Sequence, residues 1–62
     1  MEFVTVREKY NSLGFNTDSI KTWLKSQKHN GYDESFDGSL LVVYFEKFTA
    51  IVTTSHLSFV GA

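Results

Sequence analysis

The side chains of this 62-residue chain that could do chemistry are two histidines, a short acidic stretch and a row of lysines. His29 and His56 stand 27 positions apart, far from the close His-to-His spacing that lets two imidazoles share a metal. Asp33, Glu34 and Asp37 are acidic but lack the spaced oxygen ligands of a calcium loop. Ser55 and His56 are neighbours, and neighbours on a strand point to opposite faces, so they make no nucleophile–base pair. His29 reads as the end of a helix, where a cation meets the negative pole of the dipole. Cysteine is absent, which removes thiolate nucleophiles, cysteine-held metals and disulfides. There is also no glycine-rich phosphate loop and no nucleophile elbow. The expectation is a protein without catalytic residues, metal or cofactor.

The lysines are more suggestive. Lys21, Lys25 and Lys28 recur at spacings of four and three, one stripe of a helix. Residues 1–32 hold five basic against three acidic side chains, and residues 33–62 hold one against four. The surface can therefore be polarised, or it can be an ordinary solvated surface of mixed sign. A small domain buries a modest share of its surface, and here six Phe, three Tyr and one Trp compensate with large side chains. Hydrophobic residues make up 42% of the chain, which selects a folded globular domain over a disordered segment. Leu40–Phe45, the longest apolar run, is too short for a membrane span. No signal-peptide pattern follows Met1, and with cysteine absent the expectation is a cytoplasmic protein that does not engage a membrane.

The elements that position these residues follow from caps and periodicity. Thr5-Val6-Arg7-Glu8 reads as a capping box that starts a helix at Val6, with a start at Glu2 as the alternative because Phe3 extends the stripe. Val6, Tyr10 and Leu13 share its apolar face, and Gly14 ends it. Asn16 caps a second helix over Thr17–His29, with Phe15 stapled over Ile20 and Asp18 in the first turn. Ile20, Trp23 and Leu24 form its apolar face beside the lysine row, and Asn30-Gly31 ends it. Asp37-Gly38 marks a two-residue type I′ hairpin between strands Tyr32–Phe36 and Ser39–Tyr44. Ser39–Tyr44 is apolar on both faces, as a strand covered on both sides would be. Thr49–Thr54 and Leu57–Val60 read as further strands with a turn near Glu46-Lys47, although Phe45, Phe48 and Val52 also fit a helical stripe.

The first two helices and the hairpin resemble the helix-turn-helix of the excisionase and MerR-like winged-helix proteins. The matching residues are Thr5, Val6, Glu8, Leu13, Gly14, Ile20, Trp23 and Leu24. Tyr10 stands where the family usually has alanine, the wing position carries Asp33, Glu34 and Asp37 rather than cations, and residues 46–62 match nothing in the pattern. The resemblance implies a small regulatory or architectural DNA-binding protein of the phage or mobile-element type, such as an excision factor or repressor. Its second helix would read DNA through Thr17, Asp18, Lys21 and Thr22, with Lys25 and Lys28 on phosphates. The alternative reading is a small protein-interaction module, an inhibitor, adaptor or assembly subunit, using aromatics and an edge strand. Self-association through residues 45–60 belongs to that reading.

The expected architecture is a single α+β domain over residues 1–62. Two short helices in a helix-turn-helix pack on a small antiparallel sheet with a wing-like hairpin. The expected core is Val6, Tyr10, Leu13, Phe15, Ile20, Trp23, Leu24, Leu41, Val43 and Phe45, with Phe36, Ile51 and Val52 as further candidates.

Overall fold

Phe3, Val6 and Tyr10 recur at three and four residues and define the buried stripe of the first helix, α1 (Phe3–Leu13). In the computed structural model, which describes residues 3–14 and 16–61, α1 is already helical at Phe3. Thr5 and Glu8 therefore lie inside the helix and do not form its start. The reason is tertiary: Phe3 packs on Trp23, Phe45, Phe48 and Phe59, with ring centroids 4.9–5.9 Å away. That burial holds a turn which local capping alone would not.

At the other end Gly14 takes φ +68°, and its N–H donates to the Tyr10 carbonyl at 3.0 Å, the expected left-handed stop. Leu13 is 72% exposed and is not core. Tyr10 is the last residue of the stripe to meet the sheet, and Leu13 lies beyond that contact. The Tyr10 hydroxyl donates to the Thr53 carbonyl at 2.8 Å and lies 2.9 Å from the Thr17 hydroxyl, which in turn donates to the Thr54 carbonyl. One buried phenol thus joins α1, the second helix and a sheet loop.

The second helix, α2 (Thr17–Ser26), is capped by Asn16, whose Oδ1 accepts from the Asp18 and Ser19 amides. Phe15, expected to staple onto Ile20, lies outside the described residues. The helix ends three residues before His29, with Gln27 in extended backbone. Side chains satisfy its last carbonyls: Ser26 Oγ and Gln27 Nε2 both donate to Trp23 O. His29 Nδ1 accepts from the Gly31 amide, so Nε2 is the nitrogen that donates to Lys25 O. His29 therefore caps α2 from outside. With those carbonyls taken, nothing drives the helix on to Asn30.

The rest of the chain is a four-stranded antiparallel meander, ordered β1 (Tyr32–Glu34), β2 (Leu41–Tyr44), β3 (Thr49–Val52) and β4 (Leu57–Val60). This is the α+β architecture the pattern predicts, and residues 45–60 form strands rather than a helix. The β1–β2 connection departs from the expected type I′ turn. Ser35 N–H pairs with Leu40 O, so four residues form the loop, and no described non-glycine residue has positive φ. Asp37 instead accepts from the Ser39 amide and from the Ser39 and Ser35 hydroxyls, and only Gly38 (φ +75°) enters the left-handed region. The other turns need no glycine. Phe45 and Phe48 stack across Glu46-Lys47 at 5.0 Å, and the Thr53 hydroxyl accepts from the Ser55 and His56 amides.

Both helices lie on one face of the sheet. The core joins Val6, Tyr10, Ile20 and Leu24 to Leu41, Val43, Ala50, Val52 and Leu57. Trp23 and Phe45, expected in the core, are half-buried at its margin, and Phe36 is fully exposed at the hairpin tip. Ile51 is half-buried on the opposite face, while Ala50 and Leu57 are core positions that the pattern did not single out.

Asn11 does unexpected work at the β4 edge. Its carboxamide donates to Leu57 O at 3.0 Å and accepts from Leu57 N–H at 2.8 Å, as a neighbouring strand would. Asn11→Ala leaves both groups of a fully buried residue unpaired, so a loss of about 1–3 kcal/mol is expected in urea denaturation. Asn11→Asp keeps the acceptor, loses the donor and is expected to be destabilised as well; wild-type stability in both variants would refute the bridging role.

Candidate interaction surface

The lysine row does not face solvent as a free stripe. Lys21 is buried, its Nζ donating to Glu34 Oε2 at 3.2 Å and to the Gly38 carbonyl. Lys25 Nζ donates to Glu34 Oε1 at 2.9 Å and sits 4.8 Å from the Tyr32 ring centroid. Glu34 on β1 thus holds two lysines of α2 and fastens the hairpin to the helix. Lys25 accordingly titrates above its ordinary 10.5, chiefly through its hydrogen bond to Glu34. Glu34 titrates below the usual carboxylate range, through the bonds from Lys25 first and Lys21 second.

The remaining residues expected to meet DNA are dispersed in role. The Thr17 hydroxyl is engaged with Tyr10 and Thr54 O. Asp18, Thr22 and Lys28 are exposed, and Asp18 and Thr22 line a shallow, open depression with Ser19, Trp23 and Ser26. Among the described residues, no group of three or more histidines and acids could hold a metal ion. No described helix is long and apolar enough to cross a membrane.

The sheet supplies a different feature. Strand alternation sends Leu41, Val43, Ala50, Val52 and Leu57 inward, so Val42, Tyr44, Ile51 and Val60 point outward, away from both helices. The register lines them up in rows. Asp33, Val42, Ile51 and Ser58 form one row across all four strands, and Tyr44, Thr49 and Val60 form the next. Leu40, two residues before Val42, extends the apolar stripe of β2 and is 38% exposed. Tyr44 and Val60 are exposed, and Val42 and Ile51 are half-buried. Within these two rows Asp33 is the one charged side chain. Its carboxylate accepts from the Tyr44 hydroxyl at 2.7 Å, which raises the Tyr44 phenol above its ordinary 10.

The apolar run in β2 foreshadowed this face, since Leu40–Phe45 is apolar at every position. That signal reads equally as a strand covered on both sides. The order of the elements, with both helices before the sheet and both on one side of it, leaves the second face open. Comparison of the chain with protein-family models, curated proteins and solved structures returns no match.

Charge fastens the hairpin in a pH-dependent way. Asp37 is held at about 2, down from 3.8, chiefly by the Ser39 amide and then by the Ser39 and Ser35 hydroxyls. A carboxyl with a depressed folded-state pKa contributes stability above its unfolded value and loses it as pH falls through the folded one. Stability is therefore expected to fall as pH drops from 3.8 towards about 2, with Glu34 acting in the same direction. Urea melts across that range should show a shallower acid loss for Asp37→Asn and for Glu34→Gln than for the parent; unchanged slopes in both would remove these contacts from the acid response.

Proposed function

We propose that this chain is a small protein-binding module that uses the outer face of its sheet. The observation that carries the reading is the apolar set Val42, Tyr44, Ile51 and Val60, aligned in register on a face without a helix. A contiguous apolar patch in contact with water marks an interaction surface more often than a chance exposure. Its components suit binding. Val42 and Ile51 are stiff β-branched side chains that lose little rotamer freedom on burial. Tyr44 is already oriented by Asp33, which lowers the entropy lost when a partner immobilises it. Tyrosine is also among the residues that dominate interface energies. The absence of cysteine suits a reducing compartment such as the cytoplasm.

DNA binding through α2 is the second reading, and one specific observation favours it. A helix, a short turn through Gly14, an Asn-capped helix and a hairpin follow one another in the order of a winged helix-turn-helix. Against it, phosphate contacts need free cations, and Lys21 and Lys25 already neutralise Glu34. Reversing those two charges would break the hairpin contact, so Lys28 and Thr22 are the positions that test this reading.

The deciting experiment compares the immobilised chain with its Ile51→Lys variant in capture from a lysate, followed by mass spectrometry and reconstitution of any retained protein. A purified partner that binds the parent and is lost on Ile51→Lys is the expected result. Alongside, anisotropy of a labelled random duplex is expected to stay flat at low salt. Salt-sensitive DNA binding that Lys28→Glu abolishes, with no partner dependent on Ile51, would overturn the proposal in favour of the second reading.

A further inference from the structure

We propose that Asn30 is a self-modification site, deamidating through a succinimide with His29 as the general base. The inference is independent of the outer sheet face. It rests on one dipeptide and on the hydrogen bond that its nitrogen makes.

Asparagine followed by glycine can close on itself. The backbone nitrogen of the glycine attacks the side-chain carbonyl carbon of the asparagine, and the missing Cβ leaves that approach open. Asn30-Gly31 is the one Asn-Gly pair in the chain. Asn30 is exposed, so water reaches the ring that forms. The obstacle is the proton on the attacking amide, which must leave for the nitrogen to act as a nucleophile. Here the Gly31 N–H donates to His29 Nδ1 at 3.0 Å, within reach of direct proton transfer. The ring is itself oriented. Its Nε2 donates to the Lys25 carbonyl at 3.2 Å, and the rings of Tyr32 and Phe45 stand edge-on with centroids 5.8 and 6.3 Å away. Nucleophile, base and a group that orients the base are thus assembled.

The other candidate pairs each lack a part. The Asn11 carboxamide is held by both backbone groups of Leu57, the Asn16 carboxamide caps α2, and serine and threonine follow them. Asp37-Gly38 has the glycine, but the Gly38 amide donates to the Ser35 carbonyl, which is no base at neutral pH. The Asp37 carboxyl is held at about 2, and an ionised carboxylate is a poor electrophile. Of these pairs, Asn30-Gly31 alone sets its amide against a basic nitrogen.

The reaction is redox-neutral and consumes one water. His29 Nδ1 takes the Gly31 amide proton as the bond from Gly31 N to Asn30 Cγ forms. The imidazolium returns a proton to the departing nitrogen, the Asn30 Cγ–Nδ2 bond breaks, and ammonia leaves. Water then opens the succinimide at either carbonyl. Opening at Cγ gives aspartate, and opening at the backbone carbonyl gives isoaspartate, whose main chain runs through the former side chain. The Asn30 N–H donates to Tyr44 O at 2.7 Å and the Tyr44 N–H to Gly31 O at 2.9 Å, so the dipeptide is the joint between α2 and the sheet. Isoaspartate adds a methylene and a negative charge to that joint.

Peptide mapping by mass spectrometry, after incubation of the folded chain at neutral pH, tests this. The expected result is aspartate and isoaspartate at position 30, with Asn11 and Asn16 unchanged. His29→Gln keeps an acceptor in place of the ring but removes the base, and it is expected to slow conversion at least about tenfold. The sign separates two roles, because a residue that merely clamped the dipeptide would speed conversion when removed. Near-ultraviolet circular dichroism of Trp23 reports whether the variant is folded. A second comparison needs no variant, since concentrated urea takes the imidazole away from Gly31 and leaves the sequence unchanged. The folded parent is expected to convert at least as fast as the unfolded one, and the His29→Gln difference is expected to vanish in urea. An Asn30 that stays intact in the folded chain overturns the proposal. So does conversion that is unchanged or faster in folded His29→Gln, or far slower in the folded parent than in urea.

Discussion

A sheet has two faces, and this chain has helix enough for one. α1 and α2 hold 11 and 10 residues, so each spans about 15 Å, roughly the length of a short strand. Laid side by side they cover the inner face of the meander and nothing more. From this constraint come both the core and the candidate site. Leu41, Val43, Ala50, Val52 and Leu57 are fully buried because they point towards the helices. Val42, Tyr44, Ile51 and Val60 alternate with them and face out, yet they are as apolar as a covered face would be. The mismatch between that composition and its exposure is the strongest functional signal in the molecule.

Polar side chains fasten the two layers together. The Tyr10 hydroxyl, the Asn11 carboxamide and the Lys21 ammonium each reach from a helix to the sheet or its loops. All three meet backbone carbonyls that would otherwise lack partners, and among the described residues no buried side-chain nitrogen or oxygen is left unsatisfied. In so small a domain such bonds do the positioning that a larger core would do by packing. Lys21 and Lys25 are committed to Glu34 and the hairpin, which leaves fewer unpaired cations on α2.

Much of the local structure was legible in the residues. Gly14 and Asn16 mark the junction of the helices because a left-handed stop and a side-chain cap are local devices. The strands were readable from β-branched and alternating residues, even over 49–60 where a helical stripe competed. The misreadings share one cause. Thr5 and Glu8 carry a capping-box pattern, but the burial of Phe3 against distant aromatics carries the helix past it. Asp37-Gly38 carries a two-residue turn signal, but the serines on either side recruit the Asp37 carboxylate into a wider loop. Leu13 continues an apolar stripe, but the sheet does not extend beneath it.

By itself the sequence determined the two helices, the hairpin that follows them and the residues that end or cap several elements, while over residues 45–60 it left strands and a helical stripe in competition. Those properties depend on backbone preference, capping and periodicity within a few residues of one another. Only the tertiary structure decided which face of the sheet the helices cover, that Asn11 pairs with Leu57 46 residues away, and that Lys21 and Lys25 of the lysine row meet Glu34. These outcomes rest on contacts between segments far apart in the chain. A stripe of lysines or an apolar strand looks the same in sequence whether its neighbour is solvent or another layer of the fold.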